Sequence, residues 1–154
     1  MAMTDESMFA SFFGYMGVAS SLSLANIGAA YGTAIAGLGI CSMGIMKPDQ
    51  VIKASIPVIM AGILGIYGLI VSIILIQKVN VNSYTYFDGF KHLSSGVCCG
   101  LSSLAAGIAI GKCGDAGARA LGQQDKIFIG MMLILIFAEA LGLYGMIVSL
   151  ILAQ

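Results

Sequence analysis

Four stretches of the chain, 7–46, 54–77, 92–111 and 127–154, run without a charged side chain, except that Glu139 interrupts the last. Each meets the roughly 20 apolar residues a helix needs to cross a bilayer core. Inside hydrocarbon the backbone has to satisfy its own hydrogen bonds, which leaves helices or a closed barrel, and these unbroken apolar runs lack the alternation of barrel strands. The pattern predicts an all-α membrane protein of four transmembrane helices, helices 1 to 4 in chain order.

The chain also repeats itself. AGILGIYGLIVSIIL at 61–75 lies ungapped over AEALGLYGMIVSLIL at 138–152, with ten of the fifteen positions identical. The preceding spans correspond as well: GVASSLSLANIGAAYG from Gly17 lies over GVCCGLSSLAAGIAIG from Gly96, matching Gly28 to Gly107 and Gly32 to Gly111. Two tandem helical hairpins are predicted, 1–80 and 81–154. They differ at one informative place, where Gly62 stands opposite Glu139.

Small residues recur at helical spacing: Ser21, Ala25, Gly28, Gly32 and Ala36 in helix 1, Gly100, Ser103, Gly107, Gly111 and Gly114 in helix 3. Helices 2 and 4 repeat the device with Ala61, Gly65, Gly68 and Ser72 over Ala138, Gly142, Gly145 and Ser149. Such stripes let helix backbones approach closely, so they argue for tight packing and an assembly of many helices rather than for a ligand site.

Composition narrows the class. Hydrophobic residues make up 59% of the chain and charged ones 9%, against about 25% charged in soluble domains. The formal net charge is zero and no basic run occurs, which gives no support to a nucleic-acid surface. Cys41, Cys98, Cys99 and Cys113 lack the spacing of a zinc site or a disulfide framework, and His92 is the sole histidine, so no metal and no cofactor is expected. Asp5 and Glu6 precede the first apolar run without a basic residue, the wrong polarity for a cleaved signal, and the first helix is expected to be retained. Lys47 and Lys53 between helices 1 and 2, and Lys112, Arg119 and Lys126 between helices 3 and 4, predict cytoplasmic loops there and lumenal or extracellular termini.

Glu139 is the candidate working group. At a rise of 1.5 Å per residue it lies roughly 20 Å from Lys126, near mid-membrane. An ionised carboxylate at that depth costs on the order of 3 kcal/mol, so the side chain is expected to rest protonated and to ionise only where water or a cation reaches it. A group that loads and unloads a proton as its surroundings change meets the requirement of a carrier. Tyr67 and Tyr144 are candidates to hydrogen-bond the carboxyl, Tyr67 the better placed because Tyr144 follows Glu139 by five residues and points elsewhere on the same helix. Leu64 and Gly62 complete the expected surroundings. For the hydroxyls of Ser72 and Ser149 the plain alternative is a bond to backbone, and Pro57 is expected at most to bend helix 2.

The stretches GMMLILIFAEALGLYGMIVSLIL, PVIMAGILGIYGLIVSIIL and IGKCGDAGARALGQQ, with ANIGAAYGTA on helix 1, closely resemble the 16 kDa proteolipid family of V-type ATPases, the doubled-hairpin branch of the rotary c-ring proteins. The likeness covers nearly the whole chain. It implies a homo-oligomeric ring, or one shared with related proteolipid isoforms, with helices 1 and 3 inside and helices 2 and 4 outside. It further implies that Glu139 carries protons past the a-subunit of the stator, whose arginine and half-channels impose deprotonation on one side and reloading on the other. The d-subunit of the central stalk and the lipid bilayer are the other implied partners, Gly28, Gly32, Gly107 and Gly111 the packing residues, and Asp115, Arg119 and Lys112 the cytoplasmic-loop residues.

No GxxxxGK[ST] occurs, so ATP hydrolysis is expected in other subunits and this chain is not expected to be an enzyme. On this resemblance, Gly62 is expected to leave one proton per four helices, which would favour pumping over synthesis. AGILGIYG also lacks the Thr and Gln that sodium-translocating relatives carry on helix 2, so the cargo is expected to be protons. Two departures stand out, Ile35 where the family often has lysine and Lys112 where helix 3 usually has an aliphatic residue. Lys112 is expected to set its ammonium near the cytoplasmic end of helix 1 in compensation. The competing classes are a four-helix channel or junction subunit, with Glu139 lining an aqueous pore, and a purely structural tetraspan scaffold.

Overall fold

A computed structural model describes residues 5–79 and 84–154. The helices are α1 (Asp5–Met46), α2 (Val51–Ala54), α3 (Ile56–Lys78), α4 (Tyr86–Gln123) and α5 (Ile127–Ala153), with a 3-10 turn at Pro48–Gln50 ahead of α2. Among the described residues, four helical segments are long and apolar enough to cross a membrane, as the hydropathy pattern predicts: Met8–Met46 of α1, the stretch Pro48–Lys78, α4 and α5. The predicted boundary between the hairpins, at 80 and 81, lies outside the described residues.

The helices come in two lengths for a physical reason. With 23 and 27 residues, α3 and α5 match a hydrocarbon core of about 30 Å. With 42 and 38 residues, α1 and α4 reach roughly 60 Å and carry their polar ends beyond it. This corrects the reading of Asp115, Arg119 and Lys112 as loop residues. All three lie on α4, which runs on to Gln123 because no proline intervenes, no described residue has positive φ, and Arg119 Nε pairs with Asp115 Oδ1 at 2.9 Å one turn away. The true connection is only Gln124–Lys126 wide.

Pro57 opens α3 rather than bending it, sitting in the first turn where its missing N–H costs nothing. Thr85 caps α4 reciprocally: its hydroxyl accepts from the Asp88 N–H while the Asp88 carboxylate accepts from the Thr85 N–H. At one end Lys47 Nζ and Asp125 Oδ1 join the two hairpin connections at 2.9 Å. At the other Lys78 Nζ donates to the Ala153 carbonyl at 2.7 Å.

At the centre α1 and α4 pack backbone to backbone. A Cβ added at Gly28 would meet the Leu104 Cα at 2.6 Å, and one at Gly32 would meet the Gly107 carbonyl oxygen at 2.8 Å. Only glycine permits that approach. Along the same seam Gly107 abuts Gly28, and Gly111 abuts Gly32 and Ile35.

These contacts revise the alignment of helices 1 and 3. Helices α1 and α4 end at Met46 and Gln123, 77 residues apart, the same offset that relates Ala61 to Ala138. Packing recurs at this offset. Gly65 faces Asn26 and Ala29 where Gly142 faces Ser103 and Ala106, and Gly68 faces Ser21 and Ala25 where Gly145 faces Cys98 and Ser102. Gly28 and Gly107, or Gly32 and Gly111, are therefore not equivalent positions of the two repeats. They are partners across one interface, aligned by sequence because both sides of a tight seam need glycine.

Candidate functional site

Glu139 lies near the middle of α5, twelve residues after Ile127, or about 18 Å along the axis. It is half-buried, on the side of α5 turned toward α3. Tyr67, half-buried on α3, donates its hydroxyl to Glu139 Oε1 at 3.1 Å. Spacing along α3 aims this bond: Leu64 precedes Tyr67 by one turn, is fully buried and packs on Gly142 of α5, and so anchors the helix face from which Tyr67 reaches out.

The other expected residues fall elsewhere. Tyr144 points away from the carboxyl and is 61% exposed. Gly62 lies on an exposed face of α3, and a Cβ added there would meet nothing within 4 Å. Ser72 and Ser149 take the plain alternative, donating to the carbonyls of Val18 at 3.0 Å and Met146 at 2.7 Å. Lys112 is exposed and makes no hydrogen bond or ion pair among the described residues, so no such bond ties it to helix 1. Ile35 and Lys112 are 77 residues apart, which makes them the same position in the two repeats. The lysine expected at 35 is thus carried at the equivalent place on α4.

Three features escape sequence reasoning. His92 is buried at the start of α4 with its Nδ1 against the Tyr84 hydroxyl. Burial, then the charge of Asp88 and the Tyr15 phenol, push Tyr84 up to about 12, which keeps its hydroxyl protonated. Asn26 Oδ1 sits against Gly65. Ser95 donates to the Ser149 carbonyl at 2.6 Å, tying α4 to α5. Nothing in the spacing of these residues distinguishes them from neighbours that face lipid, and only the packed neighbour reveals them.

Fold and site together define an integral multi-pass membrane protein built from two copies of one hairpin, with a single carboxyl at mid-span. The sequence profile of the ATP synthase C-subunit family matches residues 16–75 and again 93–152, two equal segments at the offset seen in the packing. Curated relatives include the "V-type proton ATPase 16 kDa proteolipid subunit" of Chrysotila carterae, 61% identical over 94% of this chain and 92% of that one. The V-type proton ATPase 16 kDa proteolipid of Ascaris suum is 56% identical over 99% and 96%. A V-type proton ATPase 16 kDa proteolipid of Caenorhabditis elegans is 57% identical over 96% and 93%. The chain belongs to the ATP synthase C-subunit family, in its V-type 16 kDa proteolipid branch.

Proposed function

We propose that this chain is the proton-carrying rotor subunit of a V-type ATPase, and that Glu139 is protonated and deprotonated in turn as ATP hydrolysis in other subunits drives a ring of copies past the a-subunit of the stator. The observation that carries this reading is the carboxyl of Glu139, held at mid-span and half-buried with the Tyr67 hydroxyl 3.1 Å away. A carboxyl in that setting is neutral in lipid and ionises when a cation or water column reaches it. The channel and scaffold readings have no comparable support.

A ring is favoured by two faces left uncovered. Ala19, Ser23, Ala30 and Ala34 on α1 are exposed, whereas their equivalents Gly96, Gly100, Gly107 and Gly111 on α4 are buried against α1. Conversely Ser94, Ala105 and Ala116 on α4 are exposed, and their equivalents Gly17, Gly28 and Gly39 on α1 are buried. The α4 of one copy fits the α1 of the next as it fits its own, which closes a ring with α1 and α4 inside and α3 and α5 outside. The d-subunit of the central stalk then meets the ring at its cytoplasmic end. The basic residues favour hairpin connections in the cytoplasm and termini in the lumen of a vacuole or other acidic organelle, or outside the plasma membrane.

Protons rather than sodium are the cargo on this reading, because α3 brings the carboxyl one phenolic hydroxyl, whereas a hard cation takes several oxygens. The test is Glu139→Gln in the intact ATPase. Ring assembly should survive and ATP-driven acidification should be lost; normal acidification would overturn the proposal. Sodium that saturably protects Glu139 from carbodiimide would overturn the choice of cargo.

A further inference from the structure

The end of the fold opposite the Lys47–Asp125 pair holds the sole histidine of the chain. His92 is 5% exposed, one turn after Asp88 on α4, and its carbonyl abuts Gly17 of α1. It lines a cavity of about 280 Å³, with room for several waters at about 30 Å³ each. Ala153 lines the same cavity and follows Glu139 by fourteen residues. His92 therefore lies roughly 20 Å along the axis from the level of the carboxyl.

Every element at this end contributes to the surroundings of the imidazole. α4 itself supplies Asp88 and Lys91, α3 supplies Lys78, and the connection between the hairpins supplies Tyr84. α1 brings Gly14 and Gly17 into contact, and the phenol of Tyr15 near that of Tyr84. α5 adds Ala153 and Gln154 with its terminal carboxylate. Of these group types only an imidazole ordinarily changes charge between about pH 5 and about pH 8.

The Tyr84 hydroxyl has one proton and two acceptors. It touches His92 Nδ1 and lies 3.4 Å from the Asp88 carbonyl oxygen. When Nδ1 is bare, the hydroxyl donates to it. When the imidazole takes up a proton, Nδ1–H donates to the Tyr84 oxygen instead, and the phenol proton turns to the Asp88 carbonyl. Both states leave the buried pair bonded, so a proton can come and go without orphaning either group.

We propose that His92 is a proton-binding site open to the lumen, one per copy, and that the positive charge it takes up from an acid lumen slows release of the proton carried by Glu139. Its ligand is a single proton, and Tyr84 is the positioning residue that lets the imidazole exchange partners. A positive charge roughly 20 Å from the carboxyl, at the end where protons leave, opposes an outgoing proton by up to about fourfold in rate at an effective dielectric constant of about 20. The pump then senses the acidity it has produced. The inference rests on the lumenal placing of this end and on Glu139 as carrier, both proposed above.

Two measurements test it. In the full chain reconstituted in liposomes with isotope-labelled histidine, the one imidazole signal should show Nδ1 gaining a proton between about pH 8 and about pH 5. Tyr84→Phe should lower the pH of half-protonation by about 0.5–1, because a bond to an ion is worth more than the neutral bond it replaces. An imidazole that stays neutral down to about pH 5, or whose titration ignores Tyr84, overturns the proposal. In the intact ATPase in sealed vesicles, acid trapped on the lumenal side should slow ATP-driven proton entry, and His92→Gln should relieve that slowing by up to about fourfold. Equal slowing with and without the histidine overturns the proposal as well. A difference that follows the outer pH means that the orientation has failed and not the proton site. Glu139→Gln should titrate at His92 like the native chain, so failure of the carrier reading would show as persistent acidification in that variant and nowhere in the imidazole signal.

Discussion

Leu64 and Leu141 occupy one place in two nearly identical helices, yet the first is fully buried and the second is 54% exposed. The same contrast separates Val71 from Val148, at 0% and 46%. The sequences of α3 and α5 cannot produce it, since they agree in kind at these positions. What differs is the neighbour. The first hairpin has the second beside it, while the far face of the second has none within one chain. A duplicated protein thus displays its own interface twice, once formed and once open, and the open version describes its partner.

The largest effect that bears on this contrast comes from the formed interface. Gly107→Leu drives a side chain into the backbone of α1 at Gly28, an overpacking that costs about 1–3 kcal/mol where neighbours can move and more where they are backbone. The chain should fail to accumulate as a protease-resistant monomer. Ala30, the equivalent on α1, is exposed. Ala30→Leu should therefore fold normally and fail only at ring assembly, as seen by native gel or particle imaging. Equal loss of folding in both variants would break the comparison.

Next in size is the difference between two glycines of α3. A Cβ at Gly68 would meet the Ser21 carbonyl oxygen at 2.8 Å, whereas one at Gly62 meets nothing. Gly68→Ala should lower the thermal midpoint of the solubilised chain. Gly62→Ala should raise it slightly, since alanine is favoured over glycine within a helix by up to about 1 kcal/mol. A fall at Gly62 comparable to that at Gly68 would show that the open face is already covered inside the chain.

Much of this architecture is legible in the sequence because a bilayer makes few distinctions. Length and apolarity alone locate four spans, and the one acid at mid-span singles out Glu139. Tyr67 follows from the same repeat that pairs it with Tyr144, since five residues along α5 turn Tyr144 off the carboxyl. Two things are hidden. Hydropathy marks where lipid begins to suit the chain, not where a helix stops, so Asp115 and Arg119 look like a loop although α4 carries them well past the apolar run. Matching glycines also cannot say whether they are equivalents or partners; Gly28 and Gly107 align because they touch.

A smaller effect separates the two tyrosines. Tyr67→Phe removes a hydrogen bond to the Glu139 carboxyl, worth about 0.5–1.5 kcal/mol net. ATP-driven acidification should slow by roughly 2- to 10-fold, with assembly intact. Tyr144→Phe should change that rate less than Tyr67→Phe, because Tyr144 is 61% exposed and makes no hydrogen bond among the described residues. The ratio of the two rates, measured in the same vesicles, is the quantity to read.

The smallest effect concerns the ion pair between the two hairpin connections. Lys47 Nζ and Asp125 Oδ1 are 2.9 Å apart, but their side chains are 39% and 61% exposed, so water and salt screen their attraction. Exposed pairs of this kind contribute about 0.2–1 kcal/mol. Asp125→Asn should lower the thermal midpoint by a few degrees at most, and the difference from the native chain should vanish as salt is raised. The equivalents of these residues 77 positions on or back are Gln124 and Pro48, neither of them charged. The junction between copies therefore has no counterpart of this pair, and Asp125→Asn should leave ring assembly untouched. A loss of assembly in that variant would mean that Asp125 reaches across to another copy, and that the open and formed interfaces differ at the ends that carry the hairpin connections.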